Sequence, residues 1–151
     1  MKVNTKNYGG QTFRKTAQVV TNDPDKPVLS LAISGPVEKF ALIKPAIVSL
    51  RGYTGSAIKR TVAIRPLPKY PFRIVDIEAR DGKFIEFDLA DDTTPGKKGY
   101  LLTVFNTRSD RGSYRDTIIL KTDSKLKPEL SLPVYGFVRN RPAAPQKSHQ
   151  K

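Results

Sequence analysis

The sequence predicts an all-β protein whose main body is a sandwich of two sheets. Three observations support this prediction: apolar and polar residues alternate in many short runs, proline and glycine separate these runs, and no segment shows a helical period. Turn signals recur at intervals of roughly 8–15 residues, as they do in sandwich domains. A closed barrel is the alternative that accounts equally well for the number of strands.

Seven or eight short strands are predicted between residues 38 and 138. Turn-forming residues separate them, for example Lys44-Pro45, Asp81-Gly82 and Pro95-Gly96. The predicted strands cover residues 40–43, 46–50, 58–64, 72–79, 84–89 and 100–106, and a hairpin follows within residues 114–138. This succession of short strands is typical of a sandwich.

An internal repeat without gaps links the two ends of the chain. Residues 13–37 read FRKTAQVVTNDPDKPVLSLAISGPV, and residues 114–138 read YRDTIILKTDSKLKPELSLPVYGFV. Ten of the 25 aligned positions are identical, at an offset of 101 residues. Each repeat alternates on both sides of a polar, proline-bounded turn, which predicts a β-hairpin. Because the offset is close to the ~100 residues of an immunoglobulin-type domain, we interpret both hairpins as the last two strands of such a domain.

A short motif at the start of the second repeat favours the immunoglobulin-like interpretation. Residues 110–116 follow the pattern D-x-G-x-Y-x-C, with Asp116 in place of the cysteine. In that pattern the tyrosine forms a corner in which its hydroxyl group bonds back to the backbone upstream. Tyr114 is therefore predicted to be a structural tyrosine corner, and the alternative is an ordinary buried tyrosine. Phe13 holds the same place in the first repeat and has no hydroxyl group.

Three segments follow from the repeat. Residues 1–37 are predicted to be the C-terminal hairpin of a preceding, truncated immunoglobulin-like domain, residues 38–138 a complete sandwich, and residues 139–151 a disordered basic tail. An isolated hairpin is marginally stable in water. It therefore docks on the following sandwich, completes a sandwich in another chain, or is poorly ordered as part of a fragment. The short linker at residues 35–39 favours docking on the following sandwich.

The first repeat also resembles a known family. Residues 10–37 carry the pattern G-x-x-F-R-K-x-x-x-V-x-T-N-D-P-x-x-P-V-x-x-L-x-I-x-G. This pattern resembles the end of a bacterial immunoglobulin-like domain of unknown function, number fifteen seventy-three, which is related to the ASH, MSP and Hydin group of modules. The resemblance implies an exported, non-catalytic module of a multidomain bacterial protein. The cysteine-bearing front part of that domain has no counterpart here.

The formal net charge of +13 raises the question of an anionic partner. Basic residues are spread along the chain, and no nucleic-acid-binding motif accompanies them. The candidate anion-binding residues are Arg60, Arg65, Arg108, Arg111 and Arg115. The competing interpretation is a basic surface that is merely solvated.

The residue inventory argues against catalysis. The chain has no cysteine, and its only histidine is His149 in the tail, so the body contains neither a nucleophile–histidine pair nor zinc ligands. Asp76, Glu78, Glu86 and Asp88 alternate with apolar residues, as solvent-facing positions of a strand do. Asp88, Asp91 and Asp92 form a carboxylate cluster without the spacing of a calcium loop. We therefore predict a non-enzyme with no catalytic residues, no cofactor and no metal site.

Two function classes follow. The leading one is a structural or protein-interaction module of a larger, exported protein, with a protein partner and with oligomers formed by strand or hairpin exchange. The alternative is a domain that binds nucleic acid or an anionic glycan, and a glycosidase-like enzyme is held in reserve. No apolar run reaches the roughly 18 residues of a membrane span. The expected location is periplasmic or extracellular, or cytoplasmic if the chain is complete as given.

Overall fold

Every regular element in the part of the chain that the structure describes is a β-strand. The computed structural model describes residues 3–5 and 8–142. Nowhere in these residues is there a helix of the length and apolarity needed to cross a bilayer. The all-β prediction is confirmed. The ten strands are β1 (Gln11–Val20), β2 (Val28–Val37), β3 (Ala41–Lys44), β4 (Val48–Tyr53), β5 (Lys59–Pro66), β6 (Ile74–Ala79), β7 (Ile85–Asp91), β8 (Tyr100–Asn106), β9 (Gly112–Thr122) and β10 (Glu129–Arg139).

The chain divides into two compact units, Met1–Phe40 and Ala41–Lys151. The boundary predicted from the sequence lies three residues earlier, between residues 37 and 38. The second unit holds eight strands, β3 to β10, where the alternation predicts seven or eight. Alternation therefore locates the strands of this unit well.

The first unit contains one hairpin, β1–β2, which we call the first hairpin. Its strands are antiparallel and paired without interruption from Gln11↔Val37 to Val20↔Val28. The turn is closed by Thr21, whose N–H donates to the Pro27 carbonyl at 2.9 Å and whose hydroxyl donates to the Lys26 carbonyl at 2.6 Å. A threonine at the end of a strand thus satisfies the turn backbone locally.

The second hairpin, β9–β10, reproduces the first in register and in turn. Val19 pairs with Leu29 in the first hairpin, and Leu120 pairs with Leu130 in the second, with every other pair shifted in the same way. Thr122 repeats the bonds of Thr21: its N–H donates to the Pro128 carbonyl at 2.8 Å and its hydroxyl to the Lys127 carbonyl at 2.7 Å. The sequence repeat is therefore also a repeat of backbone structure.

Two four-stranded sheets make up the second unit. Their strand orders are β4-β10-β9-β6 and β3-β5-β8-β7. The β4–β10 pair is parallel, and the other pairs are antiparallel. Within the described residues no ladder joins one sheet to the other, so the closed-barrel alternative is wrong.

The core of the second unit comes from alternate residues of both sheets. In β10, Leu132, Val134 and Val138 are buried, whereas Tyr135 and Phe137 between them are exposed. The same alternation in the other sheet buries Val62, Ile64, Leu102 and Val104. This two-layer arrangement is sandwich-like, with apolar faces turned inward and polar faces toward solvent.

Asp116 stabilises the turn between β6 and β7. Its Oδ1 atom accepts the Asp81 N–H at 3.1 Å, and its Oδ2 atom accepts the Gly82 N–H at 2.9 Å. The carboxylate that replaces the cysteine of the sequence pattern therefore caps a turn. Lys15 stands at the equivalent position of the first hairpin and cannot accept such bonds.

The end of β10 falls inside the predicted tail. The tail is predicted to start at residue 139, but Arg139 is the last residue of β10, so the strand extends one residue into it. Residues 143–151, including His149, lie outside the described residues.

The two hairpins give a matched test of the core. Leu132 is 1% exposed, and Leu31, its equivalent in the first hairpin, is 55% exposed. We expect Leu132→Ala to lower the free energy of unfolding by about 2–5 kcal/mol, because it leaves a cavity. Leu31→Ala should change it by no more than about 0.5 kcal/mol. Urea unfolding followed by circular dichroism measures both, and equal losses would contradict the assignment of Leu132 to the core.

Candidate functional site

The structure separates the five arginines that the sequence marks as candidate anion-binding residues. Arg60 and Arg65 lie on β5, in the sheet that does not contain β9 and β10. Arg108 and Arg111 lie between β8 and β9, and Arg115 lies on β9. The five side chains therefore belong to different parts of the second unit and do not form one site.

Arg65 is occupied by an internal ion pair. Its Nη2 atom lies 3.4 Å from Asp92 Oδ2, and the Asp92 side chain is only 2% exposed. The Asp92 carboxylate also accepts the Thr94 N–H at 3.1 Å. Hydrogen bonds from Thr94, with a smaller contribution from Arg65, hold the pKa of Asp92 below its usual range. Arg65 and Asp92 thus stabilise the loop after β7.

Arg108 is likewise held by its own loop. It donates from Nη2 to Asp110 Oδ2 at 2.6 Å, and from Nε to the Asp110 carbonyl at 3.2 Å. Its guanidinium group also lies 4.7 Å from the centre of the Phe84 ring. These contacts fix the β8–β9 loop, so Arg108 is better explained as a structural residue than as a ligand-binding one.

Tyr114 packs at the start of β9, where the sequence predicts a tyrosine corner. Its hydroxyl group donates to Asn106 Oδ1 at 2.7 Å, so the acceptor is a side chain where the pattern predicts the backbone. Asn106 in turn donates from Nδ2 to the Arg108 carbonyl at 2.9 Å. Any side chain at Gly136 would overlap the Tyr114 ring, which explains the glycine at that position of β10.

A cleft of about 580 Å³ opens on the outer face of the sheet formed by β4, β10 and β9. We call it the arginine cleft. Its lining contains three arginines and no carboxylate. The lining residues are Arg51, Ser113, Tyr114, Arg115, Tyr135, Gly136, Phe137 and Arg139.

Strand register explains why these residues meet. Phe137 of β10 lies opposite Arg51 of β4 on one side and Ser113 of β9 on the other. Tyr135, two residues earlier, lies opposite Arg115. Because residues of equal phase share one face of a sheet, the side chains of Arg51, Ser113, Arg115, Tyr135 and Phe137 point away from the core. Tyr114 and its partner Gly136 lie in the other phase and line the cleft from there.

Arginine and aromatic side chains alternate in the cleft and contact each other. The Arg115 guanidinium lies 5.5 Å from the centre of the Tyr135 ring, and that of Arg139 lies 4.9 Å from the centre of the Phe137 ring. Both distances are within the ~6 Å range of cation–π attraction. Tyr135 and Phe137 nevertheless remain 41% and 40% exposed.

The three arginines of the cleft, Arg51, Arg115 and Arg139, have no carboxylate partner within residues 3–5 and 8–142. This distinguishes them from Arg65 and Arg108, which are paired with Asp92 and Asp110. The cleft therefore offers three guanidinium groups and two aromatic rings to a ligand.

Sequence reasoning identified Arg115 as a candidate anion-binding residue and Tyr114 as a structural residue, and it missed the other residues of the cleft. One signal was available: Tyr135, Phe137 and Arg139 alternate with the buried residues of β10, which places aromatic side chains on the solvent face. No comparable signal pointed to Arg51. Its place beside Phe137 depends on the parallel pairing of β4 with β10, and these strands are far apart in the sequence.

Two of the carboxylates considered for catalysis, Asp76 and Glu78, are engaged in ion pairs. Lys121 Nζ lies 3.0 Å from Asp76 Oδ2 and 2.9 Å from Glu78 Oε2. The hydrogen bond from Lys121 is the largest cause that lowers the pKa of Asp76, and bonds to both carboxylates raise the pKa of Lys121. In residues 3–5 and 8–142, no three histidine, cysteine, aspartate or glutamate side chains are grouped so as to hold a metal ion.

Alkaline titration tests the environment of Tyr114. Burial, helped by the charge of Asp116, raises the pKa of Tyr114 to about 12. Since the ordinary tyrosine value is about 10, its contribution to stability is intact below pH ~10 and is lost as the pH rises towards 12. We expect a tyrosinate absorbance component with a pKa of about 12 that Tyr114→Phe removes and Tyr53→Phe retains. A wild-type titration without this component would contradict the assignment.

No protein-family model matches the chain, and no curated protein sequence matches it. The resemblance of residues 10–37 to the bacterial immunoglobulin-like domain of unknown function therefore stays a prediction.

Proposed function

We propose that this chain is a non-catalytic, immunoglobulin-like binding module of a larger, exported bacterial protein, and that its second unit binds an anionic polymer at the arginine cleft. The immunoglobulin-like part of the proposal is supported by two four-stranded sheets, by the ~100-residue spacing of the hairpins and by the packed Tyr114. The observation that carries the binding function is the set of Arg51, Arg115 and Arg139 beside exposed aromatic rings, to which the described part of the chain supplies no carboxylate partner.

The chemistry of the cleft favours a repeating anion over a single one. Arg51 and Arg115 lie on the strands on either side of β10, opposite residues that are two positions apart, so their backbones are separated by roughly 12 Å. Charges distributed along a surface in this way suit a chain of phosphate or sulfate groups. Exposed rings between basic groups add stacking platforms, as in proteins that bind single-stranded nucleic acid.

The non-catalytic part of the proposal is supported by how the carboxylates are used. Asp76 and Glu78 bind Lys121, Asp92 binds Arg65, and Asp116 caps a turn. Each of these acids has a structural partner, and none lies in the arginine cleft. The cleft therefore has groups for binding and no pair of acids for hydrolysis.

A protein-interaction role, which the sequence favours, is supported by a different observation. The first hairpin exposes apolar side chains, including Leu31 and Ile33. Exposed apolar faces of this kind mark interaction sites.

A salt titration tests the polyanion proposal. The probe is an oligothymidylate, and binding is measured by fluorescence anisotropy from low to physiological salt. We expect Arg51→Gln, Arg115→Gln and Arg139→Gln together to weaken binding and to reduce the slope of log K against log salt by about 2, since each phosphate contact contributes ~0.7. Competition by a heparin oligosaccharide shows whether an anionic glycan binds the same groups.

The matched control removes the same charge elsewhere. Lys59→Gln, Arg60→Gln and Arg111→Gln change three exposed basic residues outside the cleft. We expect this triple variant to keep most of the affinity and most of the slope. Equal losses in the two triple variants would show that only the net charge matters, and the cleft would then not be the site.

A further inference from the structure

One face of the first hairpin is apolar and exposed, whereas the equivalent face of the second hairpin is buried. The face consists of Ala17, Val19, Leu29, Leu31 and Ile33, which share one phase of β1 and β2. Four of these residues, from Val19 to Ile33, are 40–55% exposed. Their equivalents in the second hairpin, Ile118, Leu120, Leu130, Leu132 and Val134, are at most 4% exposed.

The second hairpin shows what covers such a face. Its β10 edge is paired with a parallel strand, β4, and its β9 edge with an antiparallel strand, β6. The other sheet of the unit contributes buried side chains from β5 and β8 to the core. A hairpin of this register is thus complete only with strands on both edges and a sheet across its apolar face.

The covering sheet in the second unit is already in use. Val62, Ile64, Leu102 and Val104 are fully buried within that unit. The inner face of that sheet is therefore occupied within the second unit itself.

We propose that the first hairpin is the docking site for a β-sheet-forming polypeptide segment. This segment adds one strand parallel to β2 and one strand antiparallel to β1. It also places an apolar sheet across the exposed face formed by Val19, Leu29, Leu31 and Ile33. Strand addition at free edges supplies backbone hydrogen bonds, and the face supplies apolar contact. This proposal is independent of the arginine cleft.

Two differences between the repeats specify the partner further. Lys15 stands where Asp116 accepts the N–H groups of Asp81 and Gly82, so the partner presents a carboxylate or carbonyl oxygen to Lys15. Ala17 stands where Ile118 is buried, so the partner fills that space with a larger side chain. Another molecule of this chain is a poorer partner, because the same face contains Lys15 and no carboxylate.

The test uses residues 41–111, which cover the second hairpin in the structure. Residues 41–111, which contain β3–β8, are fused through a flexible linker in front of the full chain. Hydrogen exchange of Val28 to Ile33 is compared with that of the unfused chain. We expect the exchange of these residues to be at least tenfold slower in the fusion. It should become slower still when Lys15→Asp and Ala17→Ile make the first hairpin match β9–β10. Leu31→Asp should abolish the effect, and Ser30→Asp, on the opposite face, should not.

A second experiment with two separate polypeptides tests the proposal even if the fusion does not fold. The full chain is refolded with separate residues 41–111, and native mass spectrometry should show a one-to-one complex that Leu31→Asp abolishes and Ser30→Asp retains. No slowing and no complex, even with Lys15→Asp and Ala17→Ile, would overturn the proposal. Protection of the hairpin in the unfused chain that is lost in Leu31→Asp would also overturn it. If that protection is present in dilute monomer, the second unit of the same molecule covers the hairpin. If it increases with protein concentration, another molecule of the chain covers it.

Discussion

The burial of one face of β10 is the interaction on which the second unit depends. Leu132, Val134 and Val138 are removed from water, and β10 is also the strand that binds both β4 and β9. Because side chains alternate across a strand, this burial forces Tyr135 and Phe137 onto the opposite face. The packing of the core and the composition of the arginine cleft are therefore two results of the same constraint, and a shift of one residue in register would destroy both.

Comparison of the two hairpins shows which features depend on the hairpin sequence and which depend on the surrounding strands. The two hairpins share their register and the threonine bonds of their turns, although one is covered and the other exposes its face. Local sequence is thus sufficient to set pairing and turn. Burial of Leu132 and exposure of Leu31 depend on strands distant in the chain. Since an uncovered pair of strands is marginal in water, most of the stability of such a hairpin comes from those distant strands.

The same division explains how much the sequence could predict. Alternation located β8 to the residue and the other predicted strands of the second unit to within three residues, because strand periodicity is a local property. Charge alone selected Arg65 and Arg108, but their ion pairs with Asp92 and Asp110 occupy them. Whether a basic residue is free depends on which carboxylate the fold brings beside it. Arg51 was missed for a similar reason, since a parallel pairing of distant strands leaves no local pattern.

The two repeats have kept one backbone while diverging at positions that recognise neighbours. Asp116 accepts two turn N–H groups, and Lys15 in the same place can only donate. Tyr114 reaches Asn106 through its hydroxyl, whereas Phe13 needs no polar partner there. A substitution that only preserved the hairpin would have no reason to replace this half-exposed acceptor by a donor. The replacement is understandable if each hairpin is completed by a different surface, because unmatched donors and acceptors at a contact disfavour the wrong partner.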